Sequence, residues 1–179
     1  GNDLGSLWPP YIIFSIEPFQ VPLLNTRILL ISGVTVTWAH HNLVSDRDSF
    51  VSLILTILLG ISFTFLQGLE YLESSFSLSE NCYGSRFFVT TGFHGLHVLI
   101  GTLFLLYCSI FLYSKNINKW QHTRLEFAIW YWHFVDVVWL FLFFFLYWWS
   151  YYKVLLTFKV NFYLYKTKST KYIKFSILK

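Results

Sequence analysis

Apolar positions in this chain do not alternate with polar ones; they run. Four stretches, about 23–43, 50–69, 87–113 and 127–149, are almost free of charge, and each reaches the roughly 20 residues that a helix needs to cross a hydrocarbon layer about 30 Å thick. Backbone groups cannot go unpaired in lipid, so such runs take the form of helices. The pattern predicts an all-α membrane protein with four transmembrane helices in a bundle, occupying a transmembrane domain from 23 to 150.

The ends of the runs are marked. Asn25 and Arg27 lie near the start of the first, and Trp38, His40 and His41 near its end, where they read as interfacial groups. Asp46, Arg47 and Asp48 form a polar turn, and the second run closes on Glu70 and Glu73. The third run, 27 residues, exceeds what a bilayer needs at about 1.5 Å per residue, so tilt or overhang is expected. Lys115, Asn116, Asn118, Lys119, Gln121, His122 and Arg124 read as the next loop. The fourth run carries Trp130 and Trp132 at one end and Tyr147, Trp148 and Trp149 at the other, as aromatic belts do. Residues 1–22 hold all four prolines (Pro9, Pro10, Pro18, Pro22) and read as a Pro-rich extramembrane segment.

Charge sharpens this picture. Only 12% of the 179 residues are charged against 55% hydrophobic and 22% aromatic, which argues against a water-soluble fold. Residues 1–150 hold 6 basic and 9 acidic groups, whereas 151–179 hold 7 Lys and no acid. That segment is therefore a basic aromatic tail. A lysine at mid-membrane costs about 2.5 kcal/mol or more, so the tail is expected to lie on anionic headgroups or a neighbouring subunit and not to form a fifth span. Arg47, Lys115, Lys119 and Arg124, set against Arg27 and Arg86, favour the inner side for the loops after spans one and three, while the seven tail lysines, most of them far from a span, argue the other way. The scarcity of Ala and absence of Met suit an AT-rich, organellar gene. Cys82 and Cys108 form no C-x-x-C and read as inert thiols.

Ionisable groups at membrane depth are functional candidates by default. Glu70 and Glu73, His94 and His97, and His133 and Asp136 are each spaced i, i+3, so that each pair shares a helix face. Di-iron carboxylate bundles present Glu-x-x-His in this way, and a haem held by His97 and His133 is a second arrangement. A stand-alone di-metal or haem four-helix membrane enzyme is thus the alternative function. Depth opposes it, because Glu70 and Glu73 end their span while His97 and Asp136 lie about 15 Å inside theirs. The other reading is a structural buried polar network of Glu70, Glu73, His94, His97, Glu126, His133 and Asp136, with Gly92 and Gly95 opening a face of span three to a neighbouring helix. No P-loop or nucleophile elbow is present.

Four strings carry a resemblance. VPLLNT at 21–26, TWAHH at 37–41, TGFHGLHV at 91–98 and WYWHFVDVVW at 130–139, with Leu4 to Pro10 before them, resemble subunit III of the mitochondrial haem–copper cytochrome c oxidases. The likeness covers about residues 4–149 and the last four of that family's seven helices. It implies a core, non-redox subunit of complex IV in the mitochondrial inner membrane, with no catalytic, cofactor-binding or metal-binding residue of its own. Haem a, haem a3 and copper would belong to subunits I and II, its partners. Bound phospholipid, a role in assembly and proton uptake, and no nucleic-acid partner are also implied. The first three helices are expected on a second chain, from a split gene or a processed precursor; the tail 151–179 lies outside the likeness.

Overall fold

The computed structural model describes residues 17–74, 82–114, 122–157 and 159. The Pro9-Pro10 segment, the lysines of the 115–121 loop and the tail beyond residue 159 lie outside the described residues. Among those described, the regular structure is helical: α1 is Val21–Val44, α2 Phe50–Glu73, α3 Cys82–Tyr113 and α4 Thr123–Leu142. All four are long and apolar enough to cross a membrane.

The chemistry at the helix ends fits these limits. Pro22 sits in the first turn of α1, where its missing N–H costs nothing. At the other end Arg47 N–H donates to the Asn42 carbonyl at 2.8 Å and Asp46 N–H to the Leu43 carbonyl at 3.2 Å, with Asp46 at φ 54°. That paired arrangement is a Schellman cap with Asp in the left-handed position that Gly usually takes. Asp48 Oδ1 then accepts from Phe50 N–H at 3.0 Å and opens α2. His122 and Arg124, read from the sequence as loop, are the N-cap and second residue of α4, with Glu126 in its first turn, where an acid offsets the helix dipole.

Helix α4 does not stop at Leu142. A π-helical stretch covers Phe143–Trp148, and the helix then continues, giving one span of 35 residues to Thr157. A π insertion adds one residue to the turn. Trp132 and Trp139 are seven residues apart and both buried, but the next buried aromatic is Tyr147, eight residues on. The inserted residue is what brings Tyr147, and not Leu146, onto the inner face.

The helices pack as a ring: α1 on α2, α2 on α3, α3 on α4, and α4 back on α1. Its axis is filled by side chains of α4. Trp132 meets Gly60 of α2 and Gly101 of α3 and bonds Ser32 of α1. Trp139 packs on Phe63 and His94 and bonds Thr26. Polar residues are turned inward, with Asn25, Ser32, Thr56, Gln67, Thr91 and Asp136 all buried, while Val34, Phe65, Leu72, Phe93, Leu103 and Phe141 are exposed. This is the distribution of a bundle whose outer solvent is apolar, where helices are held by close packing and interhelical hydrogen bonds.

Candidate functional site

The buried polar groups form three levels along the bundle. At the level of the α1 N-terminus, Asn25 Nδ2 donates to Gln67 Oε1 at 3.4 Å, and Gln67 Nε2 donates to the Tyr147 hydroxyl at 3.4 Å. One amide thus links three helices. Glu70 lies one turn further along α2, buried, and among the described residues neither carboxyl oxygen has a partner at hydrogen-bond distance. Tyr83 of α3 donates its hydroxyl to the Leu146 carbonyl at 3.0 Å, and Tyr71 donates to Thr91 at 2.7 Å. Glu73, one turn beyond Glu70, is exposed.

The middle level holds His94, His97, His133 and Asp136. The Val135 carbonyl, 3.2 Å from His94 Nε2, can only accept, so His94 carries its proton on Nε2. Its Nδ1 is buried without a partner, while its ring lies against Phe63 and Trp139. His97 is half-buried and donates Nδ1–H to the Phe93 carbonyl of its own helix at 2.7 Å. The Thr37 hydroxyl donates to the Gly33 carbonyl at 2.8 Å and accepts from His133 Nε2 at 3.3 Å. With its proton committed to a carbonyl, Thr37 is not an activated nucleophile; the bond ties α1 to α4. Asp136 lies beside Gly33, where an added methyl carbon would sit 2.8 Å from Oδ2.

The third level is at the opposite end, where α1 ends and α4 begins. Glu126 Oε1 is 3.1 Å from His122 Nε2 and 3.7 Å from His40 Nε2, and the two imidazoles lie 5.6 Å apart, tilted by 48°.

The seven candidates read from the sequence are therefore spread over three levels. The i, i+3 pairs do not converge on a common centre among the described residues; the His, Cys, Asp and Glu side chains that do are His40, His122 and Glu126. Among the described residues, a methyl at Gly92 or Gly95 would meet nothing within 4 Å. Close approach occurs at Gly33, Gly60 and Gly101. Sequence reasoning passed over Asn25, Gln67 and Tyr147 as site residues; the signal that could have found the first two is an uncharged amide inside an apolar run.

The family profile described as Cytochrome c oxidase subunit III matches residues 1–151. The chain is 57% identical over 150 residues to "Cytochrome c oxidase subunit 3" of Myxine glutinosa, covering 83% of this chain and 58% of that protein. The corresponding protein of Drosophila melanogaster is 56% identical over 83% of this chain and 57% of its own length. That of Loxodonta africana is 55% identical over 83% and 58%. The chain spans somewhat over half the length of these relatives. By its profile match, its identity to these relatives and its four apolar helices, the chain belongs to the cytochrome c oxidase subunit III family.

Proposed function

We propose that this chain is a structural, non-redox part of cytochrome c oxidase, complex IV of aerobic electron transport, in the mitochondrial inner membrane. The observation that carries the proposal is the subunit III match over residues 1–151. The bundle supports it physically. Several of its inner polar groups make interhelical bonds, such as Gln67 to Tyr147 and Trp132 to Ser32, and its outer faces are apolar. Such a body adds packing surface and lipid contact to a complex without chemistry of its own.

In this reading haem a, haem a3 and copper are held by subunits I and II, the bundle packs against subunit I, and phospholipid lies along its exposed apolar faces. Its contribution is to assembly and to proton uptake for oxygen reduction and proton pumping. Glu70, Glu73, His94, His97, Glu126, His133 and Asp136 act structurally, at the separate levels described above. The family's three further helices stand beside this bundle, on a second chain or a longer form of this one; a mass spectrum of the purified complex separates the two.

The test is purification of the native chain from detergent-solubilised membranes. Haem a should co-elute with it and remain on other polypeptides when the complex is dissociated. Elution without any oxidase subunit, or haem retained on the separated chain, would overturn the proposal.

A further inference from the structure

The end of the bundle where α1 closes and α4 opens carries a cluster that the packing role leaves unused. His122 and Glu126 are one helical turn apart, i and i+4, so their side chains rise from one face. His40 comes to the same point from α1. One ligand atom from each lies within 4.8 Å of the others.

An ion pair does not account for all three groups. A proton shared between His122 Nε2 and Glu126 Oε1, 3.1 Å apart, satisfies those two. It leaves His40 Nε2 buried with no hydrogen bond among the described residues, 3.7 Å from the same oxygen. A proton joins two partners, whereas a cation with several coordination positions joins three. For bonds of about 2.0–2.1 Å in a tetrahedron, ligand atoms stand about 3.3 Å apart. Two of the three separations, 3.1 and 3.7 Å, straddle that value, and the third lies within 4.8 Å, so closure on an ion asks for side-chain adjustment and no movement of the helices.

We propose that His40, His122 and Glu126 form a binding site for one zinc ion. Two imidazoles and one carboxylate are a donor set that zinc takes readily, with the fourth position left to water. Calcium and magnesium are disfavoured by the two nitrogen ligands. The ion has an access route, because the side chains of His40, His122 and Glu126 are 37%, 22% and 35% exposed at a helix end and not at mid-bilayer. Once bound, it pins the last turns of α1 to the first turn of α4, which meet there without a covalent link. Zinc is redox-inert, so the site adds a clamp and no electron-transfer step.

The experiment uses the intact oxidase complex containing this chain, stripped with a chelator, dialysed and titrated with zinc chloride. Zinc-edge absorption then reports the ligand shell, and an anomalous difference map the position. One equivalent with two nitrogen ligands and an oxygen at about 2.0–2.2 Å, located between the three side chains, is the expected result. His122→Ala should lose that equivalent, and Glu126→Gln should weaken it by no less than the roughly 10–100-fold typical of groups one shell further out. Equal zinc uptake by parent and both variants, or an anomalous peak only elsewhere, would overturn the proposal. If the variants fail to assemble, the parent's anomalous map decides alone. Should the chain prove not to reside in an oxidase, the same titration on the detergent-solubilised full chain tests the site separately from the subunit reading.

Discussion

Trp132 Nε1–H donates to the Ser32 hydroxyl at 2.9 Å, a bond that carries an α4 side chain across the bundle axis to α1. The hydroxyl's own proton goes to the Leu29 carbonyl at 2.6 Å, so Ser32 is oriented as an acceptor before the indole arrives. Ser32→Ala removes that acceptor and leaves a buried N–H unpaired. Interhelical bonds in membranes average about 0.6 kcal/mol and reach about 1.7, and an unpaired donor pushes toward the upper figure. The expected loss is about 1–1.5 kcal/mol in a detergent unfolding titration. Ser62→Ala is the control: its hydroxyl is exposed and bonds only within α2, and the change should fall within about 0.5 kcal/mol.

The glycines should rank by what their missing Cβ would strike. At Gly60 a methyl carbon would lie 2.6 Å from Trp132 Cη2 and 2.5 Å from Thr102 Cγ2, and Trp132 is fully buried, so neither neighbour can withdraw freely. Overpacking of this kind costs about 1–3 kcal/mol. Gly33→Ala meets the end of the Asp136 side chain at 2.8 Å, with the His133 ring at ordinary contact distance, 3.7 Å, and should cost less. Gly92→Ala and Gly95→Ala meet nothing and should be neutral within this bundle. Melting temperatures of the four variants in one detergent check the order; a Gly95 variant as unstable as the Gly60 one would contradict it.

That ranking also marks where the sequence stops informing. The four spans are legible because lipid imposes a length and a polarity that a run of residues displays directly. The Asp46-Arg47-Asp48 turn is legible for a similar local reason, whereas Pro22, read with the extramembrane segment, lies in the first turn of α1. Which glycine faces a neighbour is not legible, because it depends on how each helix is rotated about its axis, and an all-round apolar helix has no stripe to reveal that. Gly92 and Gly95 beside His94 suggested a contact face that lies open within this chain. The convergence of His40 with His122 and Glu126 is illegible for the same reason, since it needs the ring closure of α1 on α4. Local pattern is silent, too, on the π stretch, where FFFLYW reads as an ordinary apolar run.

Gln67 offers a test of the buried amide chain. It accepts from Asn25 and donates to Tyr147, both at 3.4 Å, long bonds that are individually weak. Replacement by Leu keeps the bulk but strands Asn25 Nδ2, whose Oδ1 is already without a partner. A stranded buried group costs about 1–3 kcal/mol, so Gln67→Leu should destabilise by about 1–2 kcal/mol, and Asn25→Leu combined with it should recover part of the loss. A double-mutant cycle by thermal denaturation measures that coupling; strictly additive losses would show that the chain is not a connected unit.

The π stretch makes the sharpest demand on the fold. An α-helix turns about 100° per residue, so seven residues after Trp139 an uninterrupted helix would put residue 146 on the inner face. Here it is Tyr147 that is buried, with Trp149 N–H reaching back five residues to the Phe144 carbonyl. Deleting one residue from the exposed side of the stretch, Phe145, which is 47% accessible, would let the segment wind as α-helix. Tyr147 would then sit seven residues after Trp139 and still face the axis, where Gln67 waits for its hydroxyl. The deletion should therefore be tolerated, lowering the melting temperature by only a few degrees, about 1 kcal/mol for a chain this size. Deleting Phe134 instead, also exposed but in regular helix, would turn every later residue by about 100° and carry Asp136 and Trp139 off the inner face. That variant should fail to assemble. Expression of both, read by yield and thermal denaturation, separates them; equal damage from the two deletions would refute the idea that the π turn stores one surplus residue.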